Sequence, residues 1–174
     1  MNNRFELPVR YKNELFFQGE EIELSASMEK GDLFTPYFQP EFRSQQHNLL
    51  PPWEEIDHWL PVLKNEWDIL NESLIAGYDT KSSAVLDDMI KGFSLFFMML
   101  YWSNGKPVDV NSWKTSSQQL DITCLNLIER LNFVIQNADS YFARIQLNEL
   151  ILEIYKKSIK NSAINALKKK KSRE

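Results

Sequence analysis

The sequence predicts an all-α fold: a single-domain helical bundle of about five helices, with a central apolar helix over about 83–103 and an extended aromatic arm at the N-terminus. Three observations predict it. Val, Ile and Thr are modest beside Leu, Lys, Glu, Asn and Ser, and only five glycines are present; straight-chain side chains lose little freedom in a helix, whereas strands favour β-branched ones. Apolar side chains recur at three- and four-residue spacing through most of residues 52–167, which is the period of one helix face. One run, GFSLFFMMLYWSNG from Gly92 to Gly105, is apolar on both sides and so has to be covered by neighbours on both. At 174 residues, 43% of them hydrophobic, the chain fits one domain able to bury roughly 70% of its unfolded surface.

Residues 1–50 form the arm. LFF and IEL are short apolar patches, and DLFTPYFQPEF sets Phe34, Tyr37, Phe38 and Phe42 around Pro36 and Pro40. A disordered linker would not carry so many aromatics; they suit a groove on the helical body, or else an exposed ligand segment.

The bundle spans residues 51–167. Ile56, Trp59, Leu60, Leu63, Trp67, Leu70 and Leu74 share one stripe that ends at Gly77, with Pro61 outside it. One kinked helix or two phased helices fit, and Asp57 as N-cap would put Pro61 in the first turn, where its missing N–H costs little. In the next helix, Val85, Leu86, Met89 and Ile90 oppose Asp87, Asp88 and Lys91, but from Phe93 to Trp102 that division vanishes. Ten residues, one of them Ser94, are half of the about 20 predominantly apolar ones a membrane span needs, so the run reads as buried core and no membrane partner is expected. Asn104-Gly105 stops the helix, since glycine accepts left-handed backbone, and Pro107 follows.

Residues 111–119 read as a short helix or turn. A helix over about 120–137 then presents Cys124, Leu127, Ile128, Leu131, Val134 and Ile135 to the core. Asp139 or Ser140 caps a last helix from Tyr141, with a stripe of Leu147, Leu150, Ile151 and Ile154, and residues 168–174 are a disordered basic tail. There is no internal repeat.

Eight basic residues from Lys156 onward against one acid give that end +7 and leave −11 on the first 155 residues, within a total of −4. One cysteine, Cys124, and an N-terminus without an apolar signal segment predict the reducing cytoplasm. Two histidines and one cysteine cannot supply four Cys/His ligands to a structural zinc. Glu55-x-x-His58 matches half of a di-iron bundle motif, but Ser44 stands where the partner motif of His47 needs a glutamate. G-x-x-x-x-G-K-[ST], G-x-G-x-x-G and G-x-S-x-G are absent. No cofactor, metal or catalytic residue is expected, and the carboxylate pairs at 20–23, 87–88 and 149/153 read as solvated faces.

In NLIERLNF, Leu125 and Phe133 point away from the core stripe, on the side that carries Asn126, Glu129 and Arg130. A second covering layer there would half-bury Arg130, which then needs an acceptor; Glu149 and Glu153 are the candidates.

The segment NLIERLNFVIQNADSYFARIQLNELILEIYKK, with MMLYWSNGKPV upstream, resembles the YpoC-like family of small proteins from Bacillus and related Gram-positive bacteria. The likeness spans roughly residues 53–157 and is carried by Asn126, Glu129, Arg130, Leu131 and Phe133, then Tyr141, Gln146, Leu147, Glu149 and Leu150. It implies no catalytic signature and leaves the arm and the tail outside. The expected function is a non-catalytic protein–protein interaction or accessory module that docks another cytoplasmic protein through Asn126, Glu129, Arg130 and Phe133. The alternative is a nucleic-acid-associated accessory protein using Lys168, Lys169, Lys170, Lys171 and Arg173, against which the acidic body argues.

Overall fold

A computed structural model describes residues 3–24 and 31–174; residues 1, 2 and 25–30 of the expected arm lie outside the described residues. Six helices and one two-stranded sheet are present among the described residues, so the chain is largely all-α and single-domain. The strands β1 (Asn3–Glu6) and β2 (Glu21–Leu24) pair antiparallel, with Phe5 opposite Ile22. In β2 the side chains alternate, Ile22 and Leu24 inward and the two glutamates outward. That two-residue period lies within the stretch that reads from sequence as extended arm. Helix α1 (Gln39–Gln46) follows, with Pro40 in its first turn, where a missing N–H is tolerated.

Three long helices make the body: α2 (Ile56–Thr80), α3 (Val85–Ser103) and α6 (Tyr141–Lys171), each packed against the other two. Pro61 lies inside a single α2, and the helix passes Gly77 by three residues before Lys81, in left-handed backbone, turns the chain. Helix α3 begins and ends within two residues of its predicted bounds; Gly105 follows at φ +68, a conformation that glycine adopts without a Cβ clash.

Every residue of α3 from Gly92 to Trp102 is buried, Phe96 and Met99 among them. Trp67 of α2 and Leu147 of α6 close on Gly92 so tightly that a Cβ there would stand 2.8 and 2.9 Å from their side chains. On another side, Phe16 of the N-terminal segment and Trp113, in the short α4 (Trp113–Ser116), meet the Phe97 ring edge-on. Elements from both ends of the chain thus enclose the apolar run. No helix of the described residues is long and apolar enough to cross a membrane.

Helix α5 (Leu127–Gln136) is shorter than its apolar stripe predicts. Residues 120–126 spend their hydrogen-bonding groups on side chains instead. Asn104 accepts from the Ile122 N–H at 2.9 Å and donates to the Ile122 and Leu100 carbonyls, while Asn126 turns into left-handed backbone at φ +51. Tertiary bonds outcompete the helix there.

Candidate functional site

The candidate site lies where α5 packs antiparallel beside the first half of α6. Ser140 caps α6, its hydroxyl accepting from the Phe142 N–H, and the 137–140 turn brings the two helices into register. Arg130 leaves α5 toward α6 and is neither free nor fully buried. Its Nη1 donates to Glu153 Oε2 at 2.7 Å and to the Leu125 carbonyl at 2.9 Å. With its amide oxygen turned toward the guanidinium, Gln146 accepts from Arg130 Nε at 2.8 Å and Nη2 at 3.1 Å. Glu153 Oε1 in turn accepts from the Leu125 N–H at 2.8 Å and from Lys157 at 3.1 Å. Of the two carboxylates open to Arg130 from sequence, Glu153 is the partner.

Burial works against the Glu153 charge, but the hydrogen bonds from Arg130, Leu125 and Lys157 outweigh it and draw the carboxyl down to about 2. A lowered folded value means that this stabilisation is present above about pH 4.5, the ordinary value, and is lost as pH falls toward about 2. Both partners keep about a quarter of their side chains in solvent, which screens the pair. Glu153→Gln is therefore expected to cost about 1 kcal/mol at neutral pH and nothing near pH 2. Urea unfolding of both proteins across that range checks it.

Around this closed cluster the surface is apolar. Leu125 is 72% exposed, Phe133 44% and Phe142 72%. Phe133 lies about one turn beyond Arg130 on α5, and Phe142 one turn before Gln146 on α6. In antiparallel helices both positions fall at the same end. Asn126 and Glu129 are exposed at the N-terminus of α5. Glu129 and Glu149 form no ion pair among the described residues. The four residues singled out from sequence, Asn126, Glu129, Arg130 and Phe133, thus share one end or side of α5, with Arg130 neutralised and the others open.

The family model for the YpoC-like protein matches residues 57–166. The chain belongs to the YpoC-like family. The Bacillus subtilis (strain 168) protein YpoC is 32% identical to it over 116 residues, 66% of this chain and 71% of the relative. No solved structure gives a significant match. The YpoC-like match covers all of α3, α5 and the candidate face, but neither the N-terminal sheet nor the last lysines.

The remaining sequence-derived candidates are placed as follows. Lys168, Lys169, Lys170 and Lys171 form the last turn of α6, exposed, with Arg173 just beyond; the helix thus continues through residues that read as a disordered tail. Glu55 and His58 are exposed near the N-terminus of α2, on the rim of a cleft of about 940 Å³ that also takes in Asp57, Asp121 and Lys169. Ser162 of α6 donates to Asp57 beside it. Among the described residues, no three His, Cys, Asp or Glu side chains are grouped to hold a metal ion. The Cys124 thiol is buried against the Leu150 carbonyl, and burial raises it to about 12, so it packs as a small apolar group.

Sequence reasoning missed Glu41. Its carboxyl is fully buried and accepts three hydrogen bonds from three separate segments. Tyr11 Oη donates to Oε2 at 2.6 Å, and Trp102 Nε1 (2.8 Å) and the Val108 N–H (2.7 Å) both donate to Oε1. The one signal available was a glutamate between Phe38 and Phe42 in an aromatic run, where a charge needs a reason.

Proposed function

We propose that this chain is a non-catalytic accessory module of the cytoplasm whose α5–α6 face docks another protein. The reading rests on one observation: exposed Leu125, Phe133 and Phe142 surround an ion cluster whose charges are already paired. A face of that kind offers apolar area without the cost of desolvating a free cation. The unpaired Glu129 and Glu149 on it favour a partner of a particular chemistry, a helix whose apolar stripe is edged by Lys or Arg.

A photo-crosslinking residue at position 133 or 142, expressed in the host, tests the reading. Both positions are expected to give the same adduct, weakened by salt and lost when Leu125→Asp is added. An equivalent probe at Ile69, exposed on α2, is expected to give none. No adduct at either position, or equal adducts at all three, would overturn it.

The exposed lysine turn favours a second reading, contact with nucleic acid through Lys168 to Lys171 and Arg173. Lysines at a helix C-terminus also complement the helix dipole unaided, and the acidic body repels a duplex. Binding to duplex and single-stranded DNA at low and moderate salt, with and without residues 168–174, decides between contact and none.

A further inference from the structure

We propose that the end of α6, from Lys156 to Lys171, is a surface that rests on an anionic lipid bilayer, independently of the α5–α6 face. After Glu153 no acid occurs before Glu174, while lysine stands at 156, 157, 160 and 168–171. Lys157 donates to Glu153 and to the Thr123 carbonyl; the other lysines are exposed and form no ion pair among the described residues. At about 100° per residue, Ile159, Ile164 and Leu167 fall within about 140° of the helix circumference, and Lys156, Lys160, Lys170 and Lys171 fall within the same arc. All three apolar side chains on it are exposed, Leu167 by 62%.

The other side of the helix is taken up by the bundle. Ser158 donates to Ser103 at 2.6 Å, Ser162 donates to Asp57, and Lys169 lines the cleft that holds Glu54, Glu55 and Asp57. The thickness of the helix, about 10 Å, separates those carboxylates from the lysine arc. That distance slightly exceeds the Debye length of about 8 Å at physiological ionic strength, so the acidic side is largely screened from whatever the arc touches.

Lysines strung along about 22 Å of one helix side meet a plane of anionic headgroups together, and each adds to the attraction. Their ammonium groups reach the headgroups while the stems lie against the apolar side chains. Ile159, Ile164 and Leu167 then enter the boundary between headgroups and acyl chains, where leaving water is favourable. Those three positions favour lipid over a duplex: phosphate contacts need the lysines alone, and aliphatic groups among them gain nothing there. The arc also carries no aromatic side chain on which a base would stack. No helix of the described residues is long and apolar enough to cross a bilayer, so the contact is with its surface. Phe142 and Leu167 stand about 37 Å apart along α6, which leaves room for a protein on the α5 side and a lipid surface at the far end at once.

Co-sedimentation of the full chain with lipid vesicles tests the proposal. Binding is expected to vesicles of equal parts phosphatidylcholine and phosphatidylglycerol, not to phosphatidylcholine alone, and it should weaken as salt rises. Lys160→Ala and Lys170→Ala should each weaken it about five-fold. Ile164→Ser and Leu167→Ser change no charge, yet each should weaken it about three-fold or more, whereas Ile69→Ser, at an exposed position on α2, should leave it unchanged. A polarity-sensitive dye attached at Leu167→Cys is expected to shift to the blue on the mixed vesicles, and the same dye at Ile69→Cys to stay as it is. No binding to the mixed vesicles at low salt, equal binding to the two compositions, or an unshifted dye at position 167 would each overturn the proposal. So would binding indifferent to Ile164→Ser and Leu167→Ser, and tighter binding of the same variants to duplex DNA would then assign the lysines to nucleic acid.

Discussion

Glu41→Ala is expected to destabilise the fold by on the order of 4 kcal/mol, because it leaves three buried donors without an acceptor. The Tyr11 hydroxyl, the Trp102 indole and the Val108 amide all end on this one carboxyl, and removing the partner of a buried donor costs about 1–3 kcal/mol each. Loss of the costly buried charge offsets part of the sum, and the cavity adds to it. For a chain of this length the melting temperature should fall by roughly 8–16 °C. Glu41→Gln, which keeps an oxygen where Oε1 accepts twice, should fall far less. If thermal unfolding finds alanine and glutamine equal, the hydrogen bonds are not what holds the N-terminal segment in place.

Gly92→Ala is the second large effect, about 2 kcal/mol, although alanine is the better helix former by about 1 kcal/mol. The new methyl would stand 2.8 Å from Trp67 Cζ3 and 2.9 Å from Leu147 Cδ2, closer than any relaxed contact. The tryptophan cannot tilt away without straining its bond to Asn148, where Nε1 donates at 2.9 Å. Overpacking of this kind costs about 1–3 kcal/mol or more, and Gly92→Val, with two further methyls, should cost more still. A double-mutant cycle locates the cause. Leu147→Ala should cost less in the Gly92→Ala background than alone, by about 1 kcal/mol. Additive costs would place the strain elsewhere.

What was legible in the sequence followed from local pattern. The run from Phe93 to Trp102 announces its own burial because no face of it is polar, and the structure encloses all ten residues. Arg130 was legible for a related reason: Leu125 and Phe133 on its side implied partial cover, and cover implied an acceptor, which is Glu153. The two exposed side chains that raised the expectation are nonetheless still open to solvent; Arg130 is held instead by Glu153 and Gln146 of α6 and by the Leu125 backbone.

What was not legible depended on pairs distant in sequence. Glu41 meets partners 30, 61 and 67 residues away, and no periodicity connects them. The start of α5 was misplaced for the same reason, since Asn104 binds the Ile122 backbone 18 residues away and draws it out of the helix. The N-terminal strands are four residues each, too short for alternation to stand out beside the surrounding prolines and aromatics.

The enclosure of α3 also sets a condition on biosynthesis. The cover over Gly92 and its neighbours includes Leu147, from a helix that is translated well after the run it covers. Until that helix has emerged, a nascent chain holds a row of phenylalanine, methionine and tryptophan side chains with one wall missing. Such an intermediate is sticky, so the yield of native protein should depend on chaperones that shield the row until that helix arrives.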